Sequence, residues 1–219
     1  MNDKPLKIAI SFRITNAPNY DEIRDSISHD WSLLLKKIGI IPIFVPNVLS
    51  DISSYLDEFD ISGIILSGGD NFGDTPQRDY TEINMIEYGI QNNLPILGIC
   101  RGMQLINEYF GGRLTKTNSD KHITKKHELQ IIDNKFQTLF QSSVINTNSY
   151  HSNLIMKNQI GKKLKPFVIF TNDDSVEGFF HETLPILGVM WHPERNFGSD
   201  DKLILSTIFM NNFFWLDEH

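Results

Sequence analysis

The chain has little that would form a covalent or membrane-bound framework. One cysteine occurs in 219 residues, at position 100. No internal disulfide can form, which excludes the small secreted domains built on disulfides and suits a reducing compartment. No apolar run approaches membrane-spanning length, and the opening MNDKPLKIAISFRIT lacks the apolar stretch of a signal peptide. Positive charge is also scarce: 20 Lys and Arg against 27 Asp and Glu give a net charge of −7. That leaves no basic excess to neutralise phosphates, so nucleic acid is not expected as a general partner. Linkers, low-complexity tracts and structural repeats are missing too. The expectation is a single domain over residues 1–219, cytoplasmic, with no membrane partner; monomer and homodimer stay open.

Strand and helix signals alternate through the first half. Lys7 to Ser11, Ile40 to Pro46, Ile61 to Leu66 and Leu94 to Ile99 are short apolar runs of strand type. Between them, helical spacing is read at Tyr20 to Ile38, Ile52 to Phe59 and Thr81 to Gln91. This order predicts an α/β fold in three layers: an open, mostly parallel sheet with helices on both faces. After Gly112 the pattern changes to short strands at His127 to Asp133 and Ser143 to Asn148. A hairpin follows, Phe167 to Thr171 with Ser175 to Phe180, predicting an antiparallel extension. Pro185 to Met190 is again a buried strand, and Leu203 to Trp215 a closing helix. LPILGI at Leu94 to Ile99 recurs as LPILGV at Leu184 to Val189. The echo suggests neighbouring central strands whose C-terminal ends both deliver polar groups, where open α/β sheets bind ligands.

Cys100 sits where the first of these strands meets a helix, flanked by Gly98 and Gly102 as G-x-C-x-G. A sharp strand-to-helix turn needs such small neighbours, and it sets a nucleophile at a helix N-terminus, where the dipole favours thiolate. The competing reading is a small hydrophobe in a strand. WHPE, Trp191 to Glu194, weighs against that reading. Pro193 keeps His192 extended, so His192 and Glu194 point to one side as base and orienting acid. Ser67-Gly68-Gly69 ends another strand at the same sheet edge. Its backbone amides suit an oxyanion hole, with the amide of Arg101 as second donor. No G-K-[ST] follows, so a nucleotide P-loop is not indicated.

SGGDN, G-x-C-R-G-M-Q and W-H-P-E, in that order and spacing, resemble the triad (class I) glutamine amidotransferase-like superfamily, most closely its stand-alone γ-glutamyl hydrolase branch. The resemblance spans nearly the whole chain. It implies a Cys100–His192–Glu194 triad, an oxyanion hole at Gly69 and Arg101, and a substrate contact from Gln104. It also implies no cofactor. The branch has N-S-Y-H followed by a further histidine and glutamine; here Asn148 to His151 is followed by Ser152-Asn153. His151 and Glu177, of VEGFF, fall on segments beside the site in relatives. A narrower resemblance, to γ-glutamyl-CDP-amidate hydrolases of capsule biosynthesis, rests on Ser11, Arg13, Tyr20, Glu22, Arg24, Asp30 and Trp31. It implies hydrolysis of a small, nucleotide-linked γ-glutamyl substrate. The wider branch allows γ-glutamyl-γ-aminobutyrate or polyamine hydrolysis, and the superfamily allows a glutaminase subunit feeding ammonia to a synthetase.

A diphosphate would need cations near the site; Arg13, Arg24, Arg78 and Arg101 are candidates. His122 and His127, among Lys121, Lys125 and Lys126, match no common zinc spacing and lack a second cysteine, so no metal is expected. That stretch reads as a solvated loop, or else a lid over an anionic leaving group.

Overall fold

A computed structural model describes residues 5–117, 122–195, 197–210 and 213–216. In chain order the elements are β1 (Lys7–Ser11), β2 (Arg13–Asn16), β3 (Ile23–Ser26), α1 (His29–Lys37), β4 (Ile41–Val45), α2 (Ile52–Asp57) and β5 (Gly63–Leu66). Then come α3 (Pro76–Gln91), β6 (Ile96–Ile99), α4 (Arg101–Tyr109), β7 (Thr115–Lys116), β8 (Ile123–Ile131), α5 (Asn134–Phe140), β9 (Val144–Tyr150) and β10 (Asn153–Leu154). The chain closes with β11 (Leu164–Phe170), β12 (Ser175–His181), β13 (Ile186–Val189) and α6 (Ser199–Phe209). The central sheet has nine strands in the order β4-β1-β5-β6-β13-β12-β11-β8-β9. From β4 to β13 every pairing is parallel; from β13 to β9 every pairing is antiparallel. This is the mostly parallel α/β sheet with an antiparallel extension that the alternation predicts.

Side chains on successive strand residues leave opposite faces, and the core divides accordingly. Ile8, Ile10, Leu97, Ile99, Leu187 and Val189 pack with Trp31, Leu34 and Leu35 of α1, Phe136 of α5 and Ile204 and Ile208 of α6. Ala9, Ile64, Leu66, Ile96 and Ile186 face the other way, onto Ile52 and Leu56 of α2, Met85 and Ile86 of α3 and Met103 and Ile106 of α4. The two echoed hexapeptides are direct neighbours: Ile96 pairs with Ile186, Leu97 with Leu187 and Gly98 with Gly188.

Four segments differ from the sequence expectation, one of them, around His127, described with the site below. The helix expected from Tyr20 is a hairpin, β2 against β3, with Arg13 opposite Ser26 and Thr15 opposite Arg24. Ile23 is exposed and offers nothing to the core, so its spacing to Ile27 mimics a helical face without being one. The helix starts only after Ser28, whose hydroxyl accepts from the Asp30 N–H. The expected closing helix ends at Phe209, and Phe214 and Trp215 instead cover Phe136. A further helix, α5, has no counterpart among the sequence signals. Asp133 caps it, accepting from the N–H groups of Lys135 and Phe136, and Phe136 and Phe140 on one face anchor it. Among the described residues no helix is long and apolar enough to cross a membrane.

Candidate active site

Loops from the C-terminal ends of β1, β5, β6 and β13 converge on Cys100. The cysteine caps α4 with φ 50° and ψ −103°, a conformation that L residues rarely adopt and that persists only where the surroundings impose it. The surroundings are evident. A β-carbon on Gly102 would lie 2.2 Å from the Leu66 carbonyl oxygen, and one on Gly98 would lie 2.7 Å from backbone atoms of Gly102 and Met103. The Cys100 N–H donates to the Val189 carbonyl at 2.8 Å, extending the β6–β13 ladder into the elbow. Strand and helix can approach this closely only because both flanking residues are glycine.

His192 follows β13 and is held from both sides. Its N–H donates to Asn148 Oδ1 at 2.9 Å, while Asn148 Nδ2 donates to the carbonyls of His192 (2.8 Å) and Arg195 (2.9 Å). Its Nδ1 donates to Glu194 Oε1 at 2.7 Å, which leaves Nε2 for the cysteine side. Trp191 Nε1 donates to Asp201 Oδ1 at 3.0 Å and ties the loop to α6. Burial pushes the Asp201 carboxyl up to about 6, against hydrogen bonds from Gly198 and Trp191 that pull it down.

The electrostatics favour a charged pair. Burial pushes the Cys100 thiol up, but the hydrogen bond to His192 and the charges of His192 and His151 together hold it below the ordinary thiol value. Burial works against the His192 imidazolium, yet its hydrogen bonds to Cys100 and Glu194 raise it to about 9. Both shifts act in the direction of a thiolate facing an imidazolium.

Gly69 has φ +128°, and its loop is fixed by a buried polar network. Arg78 donates to the carbonyls of Ser67 (2.8 Å) and Gly68 (3.1 Å) and to Glu82 Oε1 (2.9 Å). Ser11 Oγ donates to Glu82 Oε1 at 2.7 Å and accepts the Ser67 N–H at 2.9 Å. The Arg101 guanidinium pairs with Glu82 and Asp79. Contrary to the expectation that Arg78 and Arg101 supply cations to a substrate, both guanidinium groups are sealed inside and neutralised by these carboxylates. The Arg101 N–H, in the first turn of α4, is a separate group among the helix's unpaired donors.

The other expected residues divide. Arg13 borders the cleft beside Gly68, Gly69, His192 and Glu194. Arg24 lies on the outer strand of the hairpin, exposed and paired with Glu22 and Tyr20. Gln104 is buried on α4, its Nε2 3.5 Å from both the Asn153 carbonyl and Met190 Sδ. His151 and Glu177 form a buried pair 3.4 Å apart. Burial opposes the His151 cation, but the Glu177 charge raises its pKa; burial likewise opposes the Glu177 anion, and His151 lowers it. The stretch expected as a solvated loop is strand instead, with His122 and His127 buried; Lys121 lies outside the described residues.

Two residues beside the site were not among the expected site residues. Asn148 belongs to the noted N-S-Y-H motif, but its grip on the His192 loop depends on β9 meeting the segment that follows β13. Arg195 also borders the cleft. Its guanidinium lies 4.4 Å from the centre of the Tyr150 ring, and no sequence pattern points to it.

Comparison with known proteins finds relatives over most of the chain. The chain is 32% identical to the γ-glutamyl-CDP-amidate hydrolase of Campylobacter jejuni, over 92% of this chain and 96% of that one. It is 34% identical to one subunit of the glutamine-hydrolysing GMP synthase of Methanocaldococcus jannaschii, over 73% and 78% of the two chains. Among solved structures, PurLQS from Thermotoga maritima shares the fold with a TM-score of 0.69 at 21% identity, over 96% of this chain and 100% of that one. The family model for class-I glutamine amidotransferases matches residues 19–212, and the chain belongs to that family.

Proposed function

We propose that this protein hydrolyses a γ-glutamyl amide through a γ-glutamyl thioester on Cys100. The observation that carries the reading is the relay from Glu194 through His192 to a cysteine held at a strained helix N-terminus. The thiolate attacks the γ-carbonyl carbon, and the carbonyl oxygen becomes an oxyanion between the N–H groups of Gly69 and Arg101. One such donor is typically worth about 3 kcal/mol in the transition state. His192 gives its Nε2 proton to the leaving nitrogen, and the amine-bearing product departs. The neutral imidazole then takes a proton from water, which attacks the thioester and releases glutamate. Glu194 keeps Nδ1 protonated throughout and stabilises the imidazolium. Gln104 is assigned to the glutamyl side, and His151, held by Glu177, to the wall beside it.

For the leaving group we favour a nucleotide-linked phosphoramidate, as in γ-glutamyl-CDP-amidate. Similarity to the Campylobacter hydrolase over nearly the full length of both chains supports this. So does the position of Arg13 and Arg195 at the cleft, where guanidinium groups suit phosphate oxygens. Arg24 would have to leave its exposed pair to join them. The likeness to a GMP synthase component supports a second reading, a glutaminase that passes ammonia to a synthetase.

The test is a panel of γ-glutamyl compounds (CDP-amidate, γ-aminobutyrate, putrescine and glutamine) compared by kcat/KM on the isolated chain. The first is expected to be preferred, and Cys100→Ala to abolish turnover without unfolding. Hydrolysis retained in Cys100→Ala would overturn the mechanism. Glutamine preferred only when a synthetase is added would move the assignment to the second reading.

A further inference from the structure

The antiparallel half of the sheet holds a second group of functional side chains, next to the cysteine site but separate from the triad. We propose that His122, His127, His151 and Glu177 form a zinc site. The four residues come from the position just before β8, its interior, the β9–β10 turn and β12, and all four are buried. One donor atom from each lies within 4.8 Å of the other three. Three imidazoles with one carboxylate is a donor set for zinc and its first-row neighbours; calcium and magnesium require oxygen ligands.

Hydrogen bonds already fix two of the ligand atoms. His122 Nε2 lies 2.7 Å from Asp173 Oδ2. A carboxylate only accepts, so Nε2 carries the proton and Nδ1 presents a lone pair. That Nδ1 is buried, 3.7 Å from Glu177 Oε1, and makes no hydrogen bond. His151 Nδ1 lies 3.1 Å from the Asn153 carbonyl, which also only accepts, so in the neutral ring that binds a metal the lone pair falls on Nε2. That atom lies 3.4 Å from Glu177 Oε2, again without a hydrogen bond. Lone pairs of two imidazoles facing one carboxylate in a buried space need a cation between them, either a proton on a ring or a metal ion that replaces it. An imidazole whose far nitrogen is held by a carboxylate or carbonyl is the arrangement by which proteins orient histidine ligands.

The dimensions agree. Tetrahedral zinc with bonds of about 2.0–2.1 Å separates neighbouring ligand atoms by about 3.4 Å. The separations of His151 Nε2 from Glu177 Oε2, 3.4 Å, and of His122 Nδ1 from Glu177 Oε1, 3.7 Å, are close to that spacing. Bringing in the widest separation, 4.8 Å, takes small side-chain rotations. The plane of His127 is set by the Phe170 ring, stacked at 4.1 Å with 2° between planes. A metal here would pin β8 and β12 to the turn carrying His151, and so fix a wall of the cysteine site without using Cys100. In the sequence these ligands are scattered over 56 residues, counting from 122 to 177, which is why no zinc spacing is legible there.

The test is made on the full chain, purified without a histidine tag. About one zinc per chain is expected by elemental analysis. The chelator-treated protein should rebind added Zn2+ with a rise in Tm, and added Co2+ with the visible bands of a four-coordinate site lacking thiolate. His127→Gln and His122→Gln should lose the metal, while Cys100→Ser and His192→Gln keep it. Asp173→Asn should weaken binding by about 10- to 100-fold. Wild-type protein that neither retains zinc nor takes up Zn2+ or Co2+ overturns the proposal, since the cluster would then hold only a proton. Metal lost in Cys100→Ser but retained in His127→Gln overturns it as well, by placing the ion at the triad.

Discussion

Glu82→Gln removes one negative charge from a site in which its partners Arg78 and Arg101 are fully buried. Glu82 accepts hydrogen bonds from Ser11 Oγ at 2.7 Å, from Arg78 Nε at 2.9 Å and from Arg101 Nη1. Arg101 then keeps only Asp79, and Arg78 only Asp70, which lies 3.4 Å away and is partly exposed. The amide NH2 of the new side chain also points a donor at a cation. Breaking a buried ion pair by changing one partner costs about 3–5 kcal/mol, because the other charge stays buried without compensation. At about 2–4 °C per kcal/mol for a chain of this size, Tm should fall by roughly 6–20 °C. Domains of this kind have about 5–15 kcal/mol in total, so the variant should still fold at low temperature. Urea unfolding followed by circular dichroism measures the loss, with an unchanged slope showing that compactness is not altered. Glu87→Gln, on an exposed face of the same helix, is the control and should stay within about 0.5 kcal/mol of wild type. A loss below about 1 kcal/mol in Glu82→Gln would refute the claim that this carboxylate neutralises the two arginines.

Gly102→Ala places a β-carbon 2.2 Å from the Leu66 carbonyl, a backbone overlap that no side-chain rotation relieves. Destabilisation of at least about 1–3 kcal/mol and loss of Cys100 alkylation by iodoacetamide are expected; an unaffected alkylation rate would show that the elbow tolerates the shift. Glu194→Gln should reduce kcat by on the order of 10³–10⁴ through loss of the oriented imidazolium. It should also lower the His192 pKa from about 9, measurable as a shift in the pH profile of alkylation; an unmoved profile counts against the relay. His181 accepts the N–H groups of Thr183 (3.1 Å) and Leu184 (3.0 Å) on Nδ1, so its ring must be neutral. Burial, aided by the Lys163 charge, lowers its pKa from 6.5 to about 4. The unfolded ring thus binds a proton more readily than the folded one, and this stability is present above about pH 6.5 and lost as pH falls toward 4. His181→Asn should flatten that part of the curve of unfolding free energy against pH.

Local chemistry makes much of the design readable. G-x-C-x-G announces a crowded elbow because a β-carbon at either glycine meets backbone. H-P-E announces adjacent side chains because proline keeps the histidine extended. LPILGI and LPILGV announce paired central strands because a run buried on both faces has few other places to go. Where a signal depends on which face meets the core, it misleads. Ile23 and Ile27 have helical spacing but sit on a hairpin and its exit. Arg78 and Arg101 read as free cations, although carboxylates on α3, four residues from the first and twenty-two from the second, hold them.

The alternation of strands and helices, the candidate triad and the crowding around Cys100 follow from patterns within a few residues of each other, since proline, glycine and alternating apolar side chains act on their immediate backbone. The clamp of Asn148 on the histidine loop, the sealing of the two arginines, and the meeting of three histidines with Glu177 were decided by the tertiary structure alone. Each joins side chains from strands or helices far apart in the chain, and long-range partners leave no periodicity in a single sequence.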